Sequence, residues 1–229
     1  CGANMLNGVL ITHLHSDHIT DLNDVITSAW IATFAEQEPL QIVGPPGTKE
    51  VVDRLLHFLS FDIKYRIDHH EDLNEPPAVN VTEIESGVVE LKGDVKISTE
   101  LTDHHPVGPT IAFRFDHGND AVVVAGDTIP CAGLDKLCTG AKGLVHTVIR
   151  KDIIESIPLQ RLQDVCDYHS SVEEASQTAE RAGIETLVFT HYVPAFPSGQ
   201  EEEWEKIAAQ HFSGRIELGD DLHRVEIGE

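Results

Sequence analysis

Four side chains that bind divalent metal ions lie within six residues near the start of the chain: His13, His15, Asp17 and His18. They directly follow the apolar run at residues 8–11. Side chains alternate with period two in an extended segment, so His13 and His15 point the same way. If the chain then turns into a helix, Asp17 and His18 face the same point. A chance cluster or a solvated turn is the alternative, but the order, the spacing and the preceding strand favour a two-metal site.

Further candidate ligands follow where predicted strands end: His104 and His105, Asp127, and His191. The apolar run at residues 121–125 leads straight into Gly126 and Asp127. An ionised carboxylate in such a place is costly unless it is paired or binds metal, so Asp127 needs a cation. Two metal ions about 4 Å apart can share a carboxylate and a hydroxide, which forms when bound water loses a proton near neutral pH. A dinuclear site would supply that cation.

Helices and strands that could position these residues are mixed along the whole chain. Helical periodicity covers 19–35, 49–59, 171–182 and 201–210, and residues 60–80 form the least regular part, predicted as a loop or insertion. Strands are predicted at 39–48, 79–84, 88–91, 95–101, 110–115, 121–125, 186–190, near Ile216 and at 222–227. Those between 79 and 125 indicate an antiparallel or mixed sheet. The mixture predicts a layered α/β sandwich, built as a single domain over 1–229.

Composition narrows the class of protein. No run of about 18 or more apolar residues exists, so no membrane association is predicted. Cys1, Cys131, Cys138 and Cys166 lack C-x-x-C spacing and are interpreted as buried or free thiols of a reducing compartment, which predicts a cytoplasmic protein. The chain begins at Cys1 without a Met, so an upstream targeting segment could have been lost.

Formal charge is the strongest signal of composition: 16 Lys and Arg against 39 Asp and Glu give −23. Such a charge counts against a long nucleic-acid substrate, because affinity for nucleic acid comes largely from cations that neutralise phosphates. It does not exclude one, since metal ligands account for some carboxylates and a local basic patch could survive. Solubility explains most of the excess.

Taken in order, the motifs resemble the metallo-β-lactamase superfamily, and within it ribonuclease Z and its arylsulfatase-like relatives. The stretches that carry the likeness are THLHSDH (12–18), IVGPPGT (42–48), DHHPVGPTIAFRF (103–115), VVVAGDT (122–128), GLVH (143–146), HSSVEEA (169–175) and LVFTHY (187–192). The resemblance covers nearly the whole chain. It implies the four-layer αββα metallo-β-lactamase sandwich. Relatives have strands before a Cys-Gly turn, whereas Cys1-Gly2 starts this chain, so its N-terminal strands are expected to be missing.

The resemblance also implies a ligand set. His13, His15 and His104 would hold one metal ion, Asp17, His18 and His191 the other, and Asp127 would bridge them. His104 is preferred to His105 because the family pattern places the ligand directly before x-Pro-Val. His105 is then in the second shell or faces substrate. Two Zn²⁺ ions are the default for this His-rich set without thiolates, with Mn²⁺ or Fe²⁺ as alternatives.

His169 resembles the family's additional catalytic histidine, which positions the phosphate and can protonate the leaving oxygen. The alternative is that it caps a helix, together with Ser170 and Ser171. His146, a possible second-shell residue, lies where ribonuclease Z has Val-His-Glu. Thr147 replaces that Glu, so the acidic partner expected to orient the catalytic histidine is absent. Asp17 could accept the proton of the nucleophilic water.

These features predict a dinuclear metal-dependent hydrolase, with a phosphodiesterase of the ribonuclease Z-like type as the first hypothesis and a metal-bridging hydroxide as nucleophile. A lactone, carboxylic ester or aryl sulfate hydrolase on the same metal ions is the second hypothesis, and a non-catalytic metal-binding protein is the third. Only 22 residues separate His104 from Asp127, so the long arm with which many relatives grip transfer RNA is absent. A small-molecule or short phosphodiester substrate is therefore expected. A homodimer is expected by resemblance alone.

Overall fold

The computed structural model describes residues 2–33, 38–195 and 199–228. The chain divides into two compact units. Unit 1 comprises residues up to 85 together with 90–93, and unit 2 comprises 86–89 and the rest from 94 onward. The expectation of one domain over 1–229 stays a prediction.

Unit 1 is built on a parallel three-stranded sheet, β1 (Val9–Leu10), β2 (Leu40–Gly44) and β3 (Val79–Glu83), in that order. Between β1 and β2 lie α1 (Ser16–Ile19) and α2 (Leu22–Ile31), and between β2 and β3 lie α3 (Thr48–Phe58) and α4 (Ser60–His69). The apolar stripe of α2 packs on the sheet, as the helical spacing predicts. The core consists of buried apolar side chains: Ile11, Leu22, Ile26, Ala29, Leu40, Ile42 and Val52.

Two expectations about unit 1 are wrong. Of the predicted loop at 60–80, residues 60–69 form α4 instead, while 70–78 contain no helix or strand, as expected. The helix carries no buried residue, so it lacks the apolar stripe by which periodicity reveals a helix, and ion pairs such as Arg66 with Asp62 support it one turn apart. The strand predicted at 79–84 runs parallel to β2 instead of joining an antiparallel sheet, because two helices carry the chain back across the sheet.

Unit 2 is built on a seven-stranded mixed sheet, which confirms the predicted sheet type. Its strands are β4 (Gly87–Val89), β5 (Lys96–His104), β6 (Val107–His117), β7 (Asp120–Val124), β8 (Gly143–Ile149), β9 (Thr186–Val193) and β10 (Arg215–Leu218), in reverse order across the sheet. β4 to β7 pair antiparallel, and β7 to β10 pair parallel. The connections of the parallel strands are helical: α5 (Ala132–Cys138), α6 (Lys151–Glu155), α7 (Gln160–Gln163), α8 (Val172–Ala182) and α9 (Glu201–Ala208).

The main core of unit 2 joins the sheet to its helices. Leu144 and Val148 of β8 pack with Val172 and Ala175 of α8, and Trp204 of α9 belongs to the same cluster. Parallel strands leave their carboxyl ends at one edge of a sheet, and ligands bind there in α/β proteins. Asp127 follows β7 and His191 lies near the end of β9, so the topology brings both to that edge.

The strand predicted at 222–227 is wrong, because those residues form no strand. The backbone turns at Leu222, whose φ is +63°. A Cβ on Gly143 would lie 2.3 Å from Cδ1 of Ile227, so the tail packs closely against β8. The alternating apolar residues therefore cover a sheet instead of extending it.

Cys131, Cys138 and Cys166 are free thiols, as predicted, while Cys1 lies outside the described residues. Burial raises the pKa of Cys138 to about 12. Across the described part of the chain, no helix combines the length and the apolar character needed to cross a membrane.

Candidate metal centre

The cluster in unit 1 follows β1. The Nε2 atom of His13 lies 3.2 Å from Nδ1 of His15, and the rings of His13 and His18 have centroids 4.1 Å apart. α1 begins at Ser16 and turns Asp17 and His18 toward this point, with 3.5 Å between Oδ2 of Asp17 and Nε2 of His18. Three imidazoles and one carboxylate thus converge. Two ring nitrogens that face each other this closely need a proton or a cation between them or beside them.

The turn after β2 packs against Leu14, the residue between His13 and His15. Gly47 has φ of +102° and precedes α3, and a Cβ there would lie 2.9 Å from Cδ1 of Leu14. Glu83 Oε1 accepts hydrogen bonds from the backbone N–H groups of Gly47 (2.8 Å) and Lys49 (2.9 Å). The IVGPPGT motif therefore packs against the residue between His13 and His15, which requires a glycine.

The cluster in unit 2 surrounds a buried carboxylate. Asp127 is 2% exposed, and its Oδ2 lies 3.3 Å from Nε2 of His169 and 3.8 Å from Nε2 of His191. The rings of His104 and His169 have centroids 4.8 Å apart. The carboxylate thus lies among imidazole nitrogens, as the cost of burying an isolated charge requires. The donors are nitrogen and oxygen, which suit Zn²⁺, Mn²⁺ or Fe²⁺.

The two adjacent histidines at the end of β5 differ sharply. His104 is buried, and its Nδ1 donates to the backbone carbonyl of Tyr168 at 2.7 Å. His105 is exposed, and its backbone N–H donates to Asp103. This placement supports the choice of His104 as ligand, which stays a prediction, and leaves His105 on the surface.

His191 owes its position to an irregularity in β9. Thr147 of β8 pairs with Thr190, but Val148 pairs with Tyr192, so His191 has no opposite residue in β8. Its φ is +51°, a left-handed conformation that is rare outside glycine. An extra residue of this kind bends a strand and redirects a side chain, a device found next to active sites.

His146 and Thr147 on β8 have separate roles. His146 is fully buried, and its Nδ1 donates to the carbonyl of Thr147 at 2.7 Å. Burial lowers the pKa of His146 to about 4, so its ring is neutral at physiological pH. The Thr147 hydroxyl donates to the carbonyl of Gly126 at 3.0 Å and so holds the backbone next to Asp127.

The alternative that His169 caps a helix is wrong, because Ser171 occupies the N-cap of α8. Its hydroxyl accepts from the N–H of Glu174, whose side chain accepts from the N–H of Ser171. The S-x-x-E spacing is a known signature of this capping box and could have been found in the sequence. Tyr168, which contacts both His104 and His169, was missed, and no sequence signal marks it.

The sequence of this chain is similar to those of known proteins of one superfamily. The family model described as the beta-lactamase superfamily domain matches residues 2–192. Ribonuclease Z of Mycolicibacterium paratuberculosis is 60% identical over 227 residues, which cover 99% of this chain and 81% of that protein. Ribonuclease Z of Mycolicibacterium gilvum is 56% identical over 227 residues, 99% of this chain and 79% of that protein. The chain belongs to the ribonuclease Z family of the beta-lactamase superfamily.

Solved structures of low sequence identity share the fold of this ribonuclease Z family member. The human short form of tRNase Z superimposes with a TM-score of 0.69 at 18% identity, over 99% of this chain and 81% of that one. The metallo-beta-lactamase fold protein YhfI from Bacillus subtilis gives 0.70 at 19% identity, over 95% and 76%. The predicted α/β metallo-β-lactamase fold is confirmed, and so is a metal-dependent hydrolase of the ribonuclease Z type. Divalent metal ions are its cofactors, while their number and identity stay predictions.

Proposed function

We propose that this ribonuclease Z family member hydrolyses an RNA phosphodiester with two divalent ions, Zn²⁺ by default. The ions would be held by the seven ligands that the resemblance implies: His13, His15, Asp17, His18, His104, Asp127 and His191. The single observation that carries the proposal is Asp127, a buried carboxylate with Nε2 atoms of His169 and His191 at 3.3 and 3.8 Å.

Bound divalent ions supply a water of lowered pKa and stabilise negative charge on phosphoryl oxygens. The chain's own side chains would handle the protons. Nδ1 of His169 donates to the carbonyl of Val165 at 3.0 Å, so Nε2 is the atom from which a protonated ring can give a proton to the leaving oxygen. The carboxylate of Asp17 is 58% exposed and can accept a proton from water.

An RNA substrate is preferred because the two relatives compared above are named ribonucleases and a structural neighbour is named a tRNase. The acidic composition favours a second candidate, a small ester that needs no extended cationic surface. A direct test compares turnover of a precursor transfer RNA, bis(p-nitrophenyl) phosphate, p-nitrophenyl acetate, a lactone panel and an aryl sulfate. RNA cleavage that exceeds the other activities supports the proposal, and ester or lactone turnover without any phosphodiesterase activity overturns it.

Asp127→Asn tests the metal site itself. The amide keeps the shape of the side chain but removes the charge that attracts cations, so we expect fewer bound metal ions and at least about a 100-fold lower kcat/KM. Metal analysis and phosphodiesterase kinetics measure the two effects. His117→Asn is the matched control, since His117 is an exposed histidine whose Nε2 lies 3.1 Å from Asp94. Wild-type protein with fewer than about 1.5 metal ions per chain and no hydrolysis of any ester would favour the non-catalytic hypothesis instead.

The proposal includes a cytoplasmic location, because the cytoplasm keeps thiols reduced.

The proposal also includes a homodimer that forms through the face made by α3 and α4. Phe58, at the end of α3, and Phe61 and Tyr65 of α4 are 74%, 72% and 66% exposed. Residues 48–69 balance four cations with four anions: Lys49, Arg54, Lys64 and Arg66 against Glu50, Asp53, Asp62 and Asp68. On a chain of charge −23, a neutral aromatic face is where a second copy can approach without repulsion.

The dimer is tested by analytical ultracentrifugation. We expect the wild type at about twice 25.2 kDa and the double variant F61D/Y65D at the monomer mass. Leu222→Asp is the control, because Leu222 is an apolar residue, 99% exposed, outside this face. A monomeric wild type, or a double variant that stays dimeric, contradicts this interface.

A further inference from the structure

A short 3-10 turn, Asp164–Asp167, and the following Tyr168 contact two imidazoles of the unit 2 cluster through their backbone. The carbonyl of Tyr168 accepts from Nδ1 of His104 at 2.7 Å, and the carbonyl of Val165 accepts from Nδ1 of His169 at 3.0 Å. A carbonyl oxygen can only accept, so both Nδ1 atoms carry their proton. In both rings Nε2 is then the second nitrogen, and in His169 it lies 3.3 Å from Oδ2 of Asp127.

The aromatic ring of Tyr168 packs on the same two histidines. Its centroid lies 5.1 Å from that of His104, nearly perpendicular at 82°, and 4.7 Å from that of His169 at 45°. The His104 and His169 rings themselves meet at 4.8 Å and 86°. Offset and edge-on contacts of this kind restrict the rotation of all three rings. One residue therefore restricts both histidines, by its ring and by its carbonyl.

The turn is attached on both sides. Gln163 donates to the carbonyls of Glu155 and Ile157, both at 3.0 Å, just before Val165. After His169, the N–H and hydroxyl of Ser170 donate to the carbonyl of Thr128 at 3.1 and 2.7 Å. Thr128 is the neighbour of Asp127 in sequence, so these hydrogen bonds fix the position of the turn relative to the carboxylate.

Backbone carbonyls, not a carboxylate, receive the protons around this turn. The Thr147 hydroxyl donates to the carbonyl of Gly126, and Nδ1 of His169 donates to the carbonyl of Val165. A neutral acceptor orients a ring as well as a carboxylate does, since the tautomer depends on which nitrogen donates.

We propose that Tyr168 is a positioning residue that holds His104 and His169 with Nδ1–H donated to the backbone carbonyls and Nε2 turned to the cluster around Asp127. The inference rests on the proposed function for its kinetic consequence only. Loss of the ring leaves both histidines free to rotate, and a misplacement of about 1 Å at a reacting group can cost about 100-fold in rate.

The test uses Tyr168→Ala, Tyr168→Phe and, as a matched control from the same segment, Leu162→Ala, which removes a side chain that is 39% exposed on α7. Long-range ¹H–¹⁵N spectra of the metal-free protein above neutral pH report the tautomers. We expect Nδ1–H for both histidines in the wild type, in Tyr168→Phe and in Leu162→Ala, and a tautomer mixture in Tyr168→Ala. In the metal-loaded protein, Tyr168→Ala should lower kcat about 10- to 100-fold with KM within about threefold, and Tyr168→Phe should restore most of it.

Unchanged tautomers and kcat in Tyr168→Ala, at an unchanged melting temperature, would overturn the inference. Equal losses in Tyr168→Phe and Tyr168→Ala would overturn it too, because the hydroxyl and not the ring would then be responsible. If Tyr168→Ala unfolds, Tyr168→Leu keeps an apolar side chain of similar bulk and gives the same readout. A wild type without phosphodiesterase activity whose tautomers still respond to Tyr168→Ala removes the proposed function and keeps the positioning role.

Discussion

At the scale of single residues, the buried ring of His146 makes the stability of unit 2 depend on pH. The pKa of His146 is lowered to about 4 from 6.5 because burial disfavours the charged ring. The unfolded chain therefore binds this proton more readily than the folded one. The contribution of the neutral His146 ring to the free energy of unfolding is fully present above pH 6.5. It is lost as the pH drops toward 4, by at most about 1.4 kcal/mol per pH unit.

Urea unfolding of the metal-free protein between pH 7 and pH 4 measures this slope. In His146→Leu the slope of unfolding free energy against pH should be smaller than in the wild type by the contribution of one proton. The comparison uses this slope and not the absolute free energy of unfolding. An identical slope in both proteins would show that His146 stays neutral in the unfolded chain or charged in the folded one.

The left-handed backbone of His191 predicts an unusual order of stabilities. A residue with a Cβ pays about 1–2 kcal/mol in this conformation, so His191→Gly should be more stable than His191→Ala by about 1 kcal/mol in the metal-free protein. At the neighbouring exposed Thr190 of β9 the order should reverse, because glycine weakens an ordinary strand. Chemical denaturation of the four variants checks both orders.

The candidate ligands could be predicted from the sequence because their signal is contiguous. His13 to His18 lie in one motif, and Asp127 follows an unbroken apolar strand. The support of His169 could not be predicted, since its partner is the backbone carbonyl of Val165, and any residue offers such a carbonyl. The irregular pairing at His191 could not be predicted either, because it depends on how β9 aligns with β8, and the local sequence around His191 does not reveal that alignment.

At the scale of elements, the packing of α5 against β5 leaves no space for a side chain at Gly133. A Cβ there would lie 1.8 Å from the backbone carbonyl oxygen of Leu101. Backbone cannot move aside as a side chain can, so we expect Gly133→Ala to cost several kcal/mol of unfolding free energy. Gly108→Ala is the control, because no atom lies within 4 Å of its Cβ position. Thermal unfolding that shifts equally in both variants would contradict the close approach.

Helices of ten or more residues whose apolar residues face a core were predicted, whereas the seven-residue α5 was not, although its Leu134, Leu137 and Cys138 are buried. α2 and α8 show the helical stripe and lie where it indicates. α4 buries no residue, so its sequence carries no stripe to detect. Residues 222–227 alternate as a strand does, yet they cover a sheet, because alternation records a buried side and not a hydrogen-bonded neighbour.

At the scale of the whole molecule, few cations are available for phosphates. At least 13 of the 16 Lys and Arg side chains lie within ion-pair distance of a carboxylate, among them Arg114 with Asp116 and Arg150 with Asp152. A protein with 6–10 phosphate contacts loses about 10³- to 10⁵-fold in affinity between 50 and 200 mM salt. We expect a much shallower dependence here, below about tenfold in KM for RNA over the same range. Steady-state kinetics across a KCl series test this, and a steep slope would reveal a cationic surface.

In the irregular strand β9, the side chain of His191 is needed for the proposed chemistry but not for the pairing of the strands. His191 has no opposite residue in β8 and adopts a conformation that suits glycine, so the sheet does not depend on its side chain. A variant with glycine there should remain folded while lacking one predicted ligand. Such a protein would serve as a substrate trap: immobilised as bait, it could retain uncleaved RNA from cell extracts, and sequencing that RNA would identify the natural substrate.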